Sequence, residues 1–207
     1  MPENLHKLFV ISSPSGGGKT SLINKLFEDS RSANFEKSIS DTTGQKRAGD
    51  INGRDYYFLS EKNFKDKIKK EEYVEYAIVF GNFYGTSKQE IKTKYNNSNL
   101  ILELDWQGAY AVKEIFDDAK LIFLVPPSLD DLKQRLIKRN LDSSEAIESR
   151  LSEAKKEISK SEMYDYLVLN DDFDKAFEDL SQILFEGISP IDFNSRSSKD
   201  LIKRLVE

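Results

Sequence analysis

Cysteine is missing from this chain, so neither a disulfide framework nor a thiolate metal site can form, and a reducing compartment suits it. No apolar run approaches the length of about 20 residues that a membrane span needs. The opening "MPENLHK" does not resemble a secretory signal, and a cytoplasmic location is the expectation. Nor is there a basic excess. The formal net charge of −5 and isoelectric point near 5.2 argue against binding along a nucleic acid backbone, while leaving room for a small anion held by local arginines. The single histidine, His6, precedes the first apolar run and has no chemistry assigned to it. What remains is a globular composition, 38% hydrophobic and 32% charged, in 207 residues: one domain, or one core with small insertions.

Four short apolar runs, "LFVIS" (8–12), "LILEL" (100–104), "LIFLV" (121–125) and "YLVLN" (166–170), are nearly continuous in hydrophobicity. Such runs suit strands covered on both faces in a parallel sheet. Helical patterns fall between and after them, over 20–28, 107–116, 130–139, 144–159 and 173–186, so an α/β layered core is predicted. The stretch from about 35 to 88 differs. "RDYYFLS" and "YVEYAIVF" look like half-exposed strands flanking a helix over 61–70, with turn chemistry at Asn52-Gly53 and Gly81-Asn82. A small inserted subdomain of mixed strands is expected there, and a second, charged insertion over about 128–160. A last short helix is predicted over 199–206.

"SPSGGGKT" follows a strand and opens a helix, the context a phosphate-binding loop requires. Glycines let successive backbone N–H groups curl around an oxyanion, and the helix that follows presents its positive end. Ser13, Pro14, Ser15, Gly16, Gly17, Gly18, Lys19 and Thr20 are the candidate ATP-binding residues. Lys19 would reach the β- and γ-phosphates and Thr20 would offer its hydroxyl to Mg²⁺. Ser13 replaces the first glycine of the usual pattern, at the hinge out of the strand.

The inserted region reads "SISDTTGQKRAGDINGRDYYF" and then "EEYVEYAIVFGNFYGTS". With "LELDWQGA" and "RLIKRN…ESRL", these motifs resemble the guanylate kinase family from about residue 8 to 186. The resemblance implies a P-loop nucleoside-phosphate kinase fold with three parts: a parallel-sheet core (about 1–35, 89–127 and 161–207), a GMP-binding insertion (about 36–88) and a lid (about 128–160). It implies ATP and GMP as substrates, Mg²⁺ with the ATP, and transfer of the γ-phosphoryl group.

By the same resemblance Ser40, Glu75, Thr86 and Glu103 surround the guanine, and Arg47, Tyr56 and Tyr84 hold the GMP phosphate. A carboxylate such as Glu75 can accept from both the N1–H and the exocyclic amino group of guanine, whereas adenine would leave it unpaired. Asp105, just past a strand end, is the expected Mg²⁺ residue opposite Thr20. Arg135 and Arg139 share a helix face, and Arg150 lies on the next helix; three arginines suit the charge spread over a phosphoryl group in transfer. Lys19, Arg47, Arg135, Arg139 and Arg150 are thus the candidate catalytic residues, with Asn170 and Asp171 expected near the adenine. One departure stands out: the family's T-T-R-x-x-R reads "TTGQKR" here, so Gly44 replaces the first arginine and only Arg47 remains. Lys46 or Arg54 is the expected partial substitute. Two other readings are a non-catalytic binding module, against which Lys19, Thr20 and the arginines count, and a kinase of another phosphorylated acceptor such as a ribose bisphosphate, which Glu75 and Ser40 disfavour.

Overall fold

The computed structural model describes residues 6–47, 49–79, 81–138, 144–189, 191 and 195–207. Its larger sheet has five strands: β1 (Leu8–Ser12), β2 (Phe35–Lys37), β7 (Asn99–Glu103), β8 (Lys120–Val125) and β9 (Tyr166–Leu169). They run in the order β2-β7-β1-β8-β9, and every pairing is parallel. Strand alternation explains why the apolar runs are unbroken. Leu8, Val10, Leu100, Leu102, Leu121 and Phe123 point to one face and join one buried cluster. Phe9, Ile11, Ile101, Ile122 and Leu124 point to the other and join a second. Leu22, Ile23 and Leu26 of α1 (Lys19–Glu28), with Ala176 and Leu180 of α7 (Phe173–Ser181), cover the second face. The first face is covered from α3 (Lys88–Tyr95), α4 (Trp106–Ile115), α6 (Ser144–Ser159) and α8 (Arg196–Val206).

The expected insertion forms a second sheet in the order β4-β3-β6-β5. Its strands are β3 (Asp41–Thr42), β4 (Tyr57–Phe58), β5 (Tyr73–Val79) and β6 (Asn82–Ser87). Two of its three pairings, β3 with β6 and β5 with β6, are antiparallel, and β3 with β4 is parallel. Helix α2 (Glu61–Lys69) starts where the Ser60 hydroxyl accepts the Asn63 N–H, and it buries Phe64 against Tyr73 with ring centroids 4.5 Å apart.

Several expected boundaries move. β2 belongs to the larger sheet although it spans the expected core–insertion boundary at about 35, because three residues carry too little pattern to read. The strand anticipated over "RDYYFLS" shrinks to Tyr57–Phe58. Asp55 accepts the Ile51 N–H, and the Gly53 N–H donates to the Tyr56 carbonyl, so Arg54 and Asp55 are consumed in a turn. Helix α3 went unread despite its "SKQE" start, where the Ser87 hydroxyl accepts the Glu90 N–H. The helix expected over 173–186 is α-helical to Ser181 and then widens into a π turn over Gln182–Glu186, ending at Gly187 with φ +72°. α8 begins at Arg196, three residues early, on an N-cap from Ser195. Helix α5 (Leu129–Lys138) and α6 occupy the expected lid, yet Ile158 of α6 is fully buried in the core cluster. Among the described residues no helix is long and apolar enough to cross a membrane.

Candidate active site

The carboxyl ends of the parallel strands converge on the glycine loop, as open α/β sheets require of a ligand site. The loop closes with the Gly17 N–H donating to the Pro14 carbonyl at 2.8 Å. Gly16 and Gly18 adopt φ +88° and +90°, conformations open to glycine at little cost. At Gly18 space forbids a side chain too, since a Cβ there would lie 2.4 Å from Asn170 Nδ2. Gly18 serves as N-cap of α1, so the first N–H groups of that helix face the loop.

Lys19 leaves this turn half-buried, its Nζ donating to the Leu104 carbonyl at 3.0 Å. Burial lowers its pKa below the ordinary lysine value, while Glu103, Glu157 and Asp105 act to raise it. The Thr20 hydroxyl donates to Glu103 Oε1 at 2.5 Å, and Lys37 Nζ reaches Glu103 Oε2 at 2.6 Å. Burial opposes a charge on Glu103, yet Lys19, Lys37 and the Thr20 hydrogen bond together hold it below the ordinary carboxylate range.

Two further elements brace the loop. Asn170, 3% exposed at the end of β9, donates from Nδ2 to the Gly17 carbonyl at 2.7 Å, and its own carbonyl accepts Arg135 Nη2 at 2.7 Å. Arg150 Nη1 donates to Ser15 Oγ at 2.7 Å. A Cβ on Gly16 would lie 3.2 Å from Leu132 and Leu136, so α5 rests against the loop. Of the three expected arginines, Arg150 therefore meets the loop directly and Arg135 reaches it only through Asn170, while Arg139 lies outside the described residues. The Asn170 side chain is committed to the loop rather than turned outward, and Asp171 is exposed, accepting the Asp172 N–H.

On the insertion side, Glu75 of β5 pairs with Thr86 of β6 and packs over the start of α4, where a Cβ on Gly108 would lie 3.2 Å from Glu75 Cγ. Glu75, Asp105, Gln107 and Gly108 line a cavity of about 390 Å³. Burial pushes the Glu75 carboxyl up to about 7; Asp105 pushes the same way, against hydrogen bonds from Thr86. Tyr56 and Tyr84 meet edge to face at 5.8 Å, and Tyr56 and Phe58 at 5.9 Å, while the Tyr57 hydroxyl goes to Glu90. That split is the strand alternation. Arg47 is exposed, its N–H donating to Asp50. Ser40 lies between β2 and β3, its carbonyl accepting the Tyr57 N–H. At Gly44 a Cβ would stand 3.3 Å from Thr42 Oγ1 and 3.4 Å from the Tyr84 hydroxyl, so the missing side chain would have started beside Tyr84. Arg54 is held by Asp55 at 2.7 Å and by the Gly49 carbonyl at 3.0 Å.

These contacts correct the expected parts of Glu103 and Asp105. Glu103 stands with Thr20 and Lys37 at the glycine loop, not with Glu75. Asp105 caps α4, accepting the Gly108 N–H at 2.8 Å, and faces the Glu75 cavity, not Thr20. The reason is geometric: β7 ends at Glu103, and the chain turns into α4 at Asp105, so residues two apart face different sites.

The chain also matches known proteins over most of its length. The guanylate kinase family model covers residues 5–187. The chain belongs to the guanylate kinase family. It is 46% identical over 184 residues to the guanylate kinase of Wolbachia sp. subsp. Brugia malayi, covering 88% of this chain and 93% of that one. To the guanylate kinase of Francisella tularensis subsp. holarctica it is 45% identical over 184 residues, covering 87% and 97%. The crystal structure of guanylate kinase from Anaplasma phagocytophilum superposes with a TM-score of 0.71 at 31% identity, covering 99% of this chain and 98% of that one. In this guanylate kinase family chain, sequence reasoning missed two charged residues beside the loop. Lys37 ends a strand too short to recognise. Glu157, pushed up to about 7 by burial, with Asp105 and Glu153 adding to the push and Lys19 opposing it, lies seven residues after Arg150 on α6. That i, i+7 spacing puts both on one helix face and was the available signal.

Proposed function

We infer that the protein transfers the γ-phosphoryl group of ATP to GMP, giving ADP and GDP. The observation that carries this reading is the pair of sites joined at residues 103–105. A phosphate loop with Lys19, Thr20 and Glu103 lies on one side, and a carboxylate-lined cavity with Glu75 and Asp105 on the other. ATP would lie on the loop, with Lys19 on its β- and γ-phosphates. Glu75 and Asp105 would read the N1–H and amino group of guanine, with Ser40 and Thr86 beside them. Arg47, Tyr56 and Tyr84 would hold the acceptor phosphate.

An oxygen of that phosphate attacks the γ-phosphorus in line, the bond to the bridging oxygen of ADP breaks, and its electrons leave with ADP. The attacking oxygen is already anionic, so no strong base is needed. Positioning and charge stabilisation then supply most of the acceleration. Arg150, which touches the loop, Arg135, held beside it on Asn170, and Arg139 would spread over the transferring group. The Thr20 hydroxyl and Glu103 carboxylate are hard oxygen donors of the type Mg²⁺ takes, and a site of few protein ligands suits an ion bound largely by phosphate and water. Bound with ATP, the ion would neutralise charge between the β- and γ-phosphates. The proposal includes the cytoplasm as the setting, where both nucleotides are available.

A coupled assay with ATP and GMP, AMP, CMP, UMP or a ribose phosphate tests it. Turnover is expected with GMP far above the rest. Preference for a ribose phosphate would support the other kinase reading, and no turnover with any acceptor would support a binding module.

A further inference from the structure

The chain crosses between core and insertion at two places. β2 ends at Lys37 and β3 begins at Asp41, so residues 38–40 lead out of the core sheet. β6 ends at Ser87 and α3 begins at Lys88, where the chain returns. Glu90, in the first turn of α3, stands at both crossings. Its N–H donates to the Ser87 hydroxyl at 3.1 Å, and its Oε1 accepts the Ile39 N–H at 2.9 Å. One turn on, Lys94 donates to the same Oε1 at 2.8 Å and to the Lys37 carbonyl at 2.7 Å. Glutamate four residues before lysine is the favoured order for such a helical pair, and the Glu90 side chain is only 9% exposed. Ile91 and Tyr95 fix the helix in the core cluster. A core helix thus holds the outgoing segment on either side of Ser38.

Beyond that hold the contacts close into a ring. Ile39 leads to Ser40, whose carbonyl accepts the Tyr57 N–H at 2.9 Å. The Tyr57 hydroxyl then returns to Glu90 Oε2 at 3.5 Å, the outer limit of a hydrogen bond. Ser40 is in this ring and Tyr56 adjoins it. We propose that Glu90 is a positioning residue for the acceptor nucleotide: its carboxylate fixes Ser40 and Tyr56 relative to the core, so that the guanine and phosphate contacts are set before GMP enters. This rests on the functional reading above, which gives those two residues to GMP. A carboxylate suits the task because its oxygens accept a backbone N–H, an ammonium and a phenol together, and charge strengthens each bond. Groups already in place save the cost of ordering them on binding.

Calorimetric titration of the full chain with GMP and, separately, with ATP, in chelator, distinguishes positioning from fold. Glu90→Ala is expected to weaken GMP about tenfold, as loss of a charge-assisted contact that orders the site predicts. ATP affinity is expected to stay within about twofold, because the ring includes no residue of the glycine loop. Glu90→Gln keeps an oxygen for the Ile39 N–H and is expected to retain GMP affinity within about threefold. Unchanged GMP affinity in Glu90→Ala, equal losses for GMP and ATP, or a Glu90→Gln protein as weak as Glu90→Ala would overturn the proposal. Should Glu90→Ala not fold, Lys94→Met carries the test, since it frees the Lys37 carbonyl and loosens the same carboxylate. A GMP loss of about threefold with ATP unchanged would then support the proposal, and no GMP loss would overturn it. Wild-type protein that binds ATP but no GMP would sink the functional reading itself, and this proposal with it.

Discussion

Glu75 offers the sharpest test, because the burial of the residue proposed to read guanine should cost the fold stability. Its carboxyl sits at about 7 in the folded chain against an ordinary value of 4.5. Below about pH 4.5 the folded and unfolded chains both carry it protonated, and the cost is nil. As pH rises through about 7 the folded chain must ionise a buried acid, and the cost reaches its full size. The interval of about 2.5 units corresponds to roughly 3 kcal/mol at pH 8, and to about 1 kcal/mol at pH 5.5. Glu75→Gln keeps the shape and the Thr86 contact without the charge. It should therefore be more stable than wild type by roughly 3 kcal/mol at pH 8, and its advantage should shrink by about 2 kcal/mol at pH 5.5. Denaturant melts of both proteins at both pH values measure this directly. The variant should also lose its preference for GMP over AMP, because an amide places a donor against guanine's donors. A variant no more stable than wild type at pH 8, or one with the same advantage at both pH values, would refute the burial argument. A variant that still prefers GMP would refute Glu75 as the reader of guanine.

The same titration governs binding: only the ionised Glu75 can accept both guanine donors, so GMP affinity should fall roughly tenfold from pH 8 to pH 6. Calorimetry at constant ionic strength would show it, and a flat profile would count against it. Glu103→Gln should raise the KM for ATP and leave metal-free GMP affinity near wild type or better. Asp105→Asn, which keeps the cap on α4, should do the reverse; matching defects in both would undo the division between them. Gly18→Ala should lower stability by about 1–3 kcal/mol, through positive φ and the clash with Asn170, and weaken ATP binding. An unperturbed melt and nucleotide titration would contradict that. Gly44→Arg should tighten GMP about tenfold if the acceptor phosphate lies by Tyr84, and no change would place the phosphate elsewhere.

Much of this molecule could be read before it was folded, and the readable part is the local part. Glycines between a buried strand and an amphipathic helix make a tight loop facing a helix N-terminus whatever lies around them, because backbone curvature and helix polarity are set within about a dozen residues. Four core strands announced themselves by apolar runs that only a doubly covered sheet tolerates. The three residues of β2 carried no such signal, and Lys37 was lost with them. Tertiary packing alone decided what faces what. Glu103 and Asp105 are two residues apart in a chain that turns from strand to helix between them, so neither spacing nor residue type could say which joins Thr20 and which joins Glu75. Nor could sequence reveal that Asn170, 153 positions from Gly17, spends its amide on the loop. Such contacts depend on how the strands are ordered in the sheet, and that order is set by the burial of whole faces rather than by any one residue.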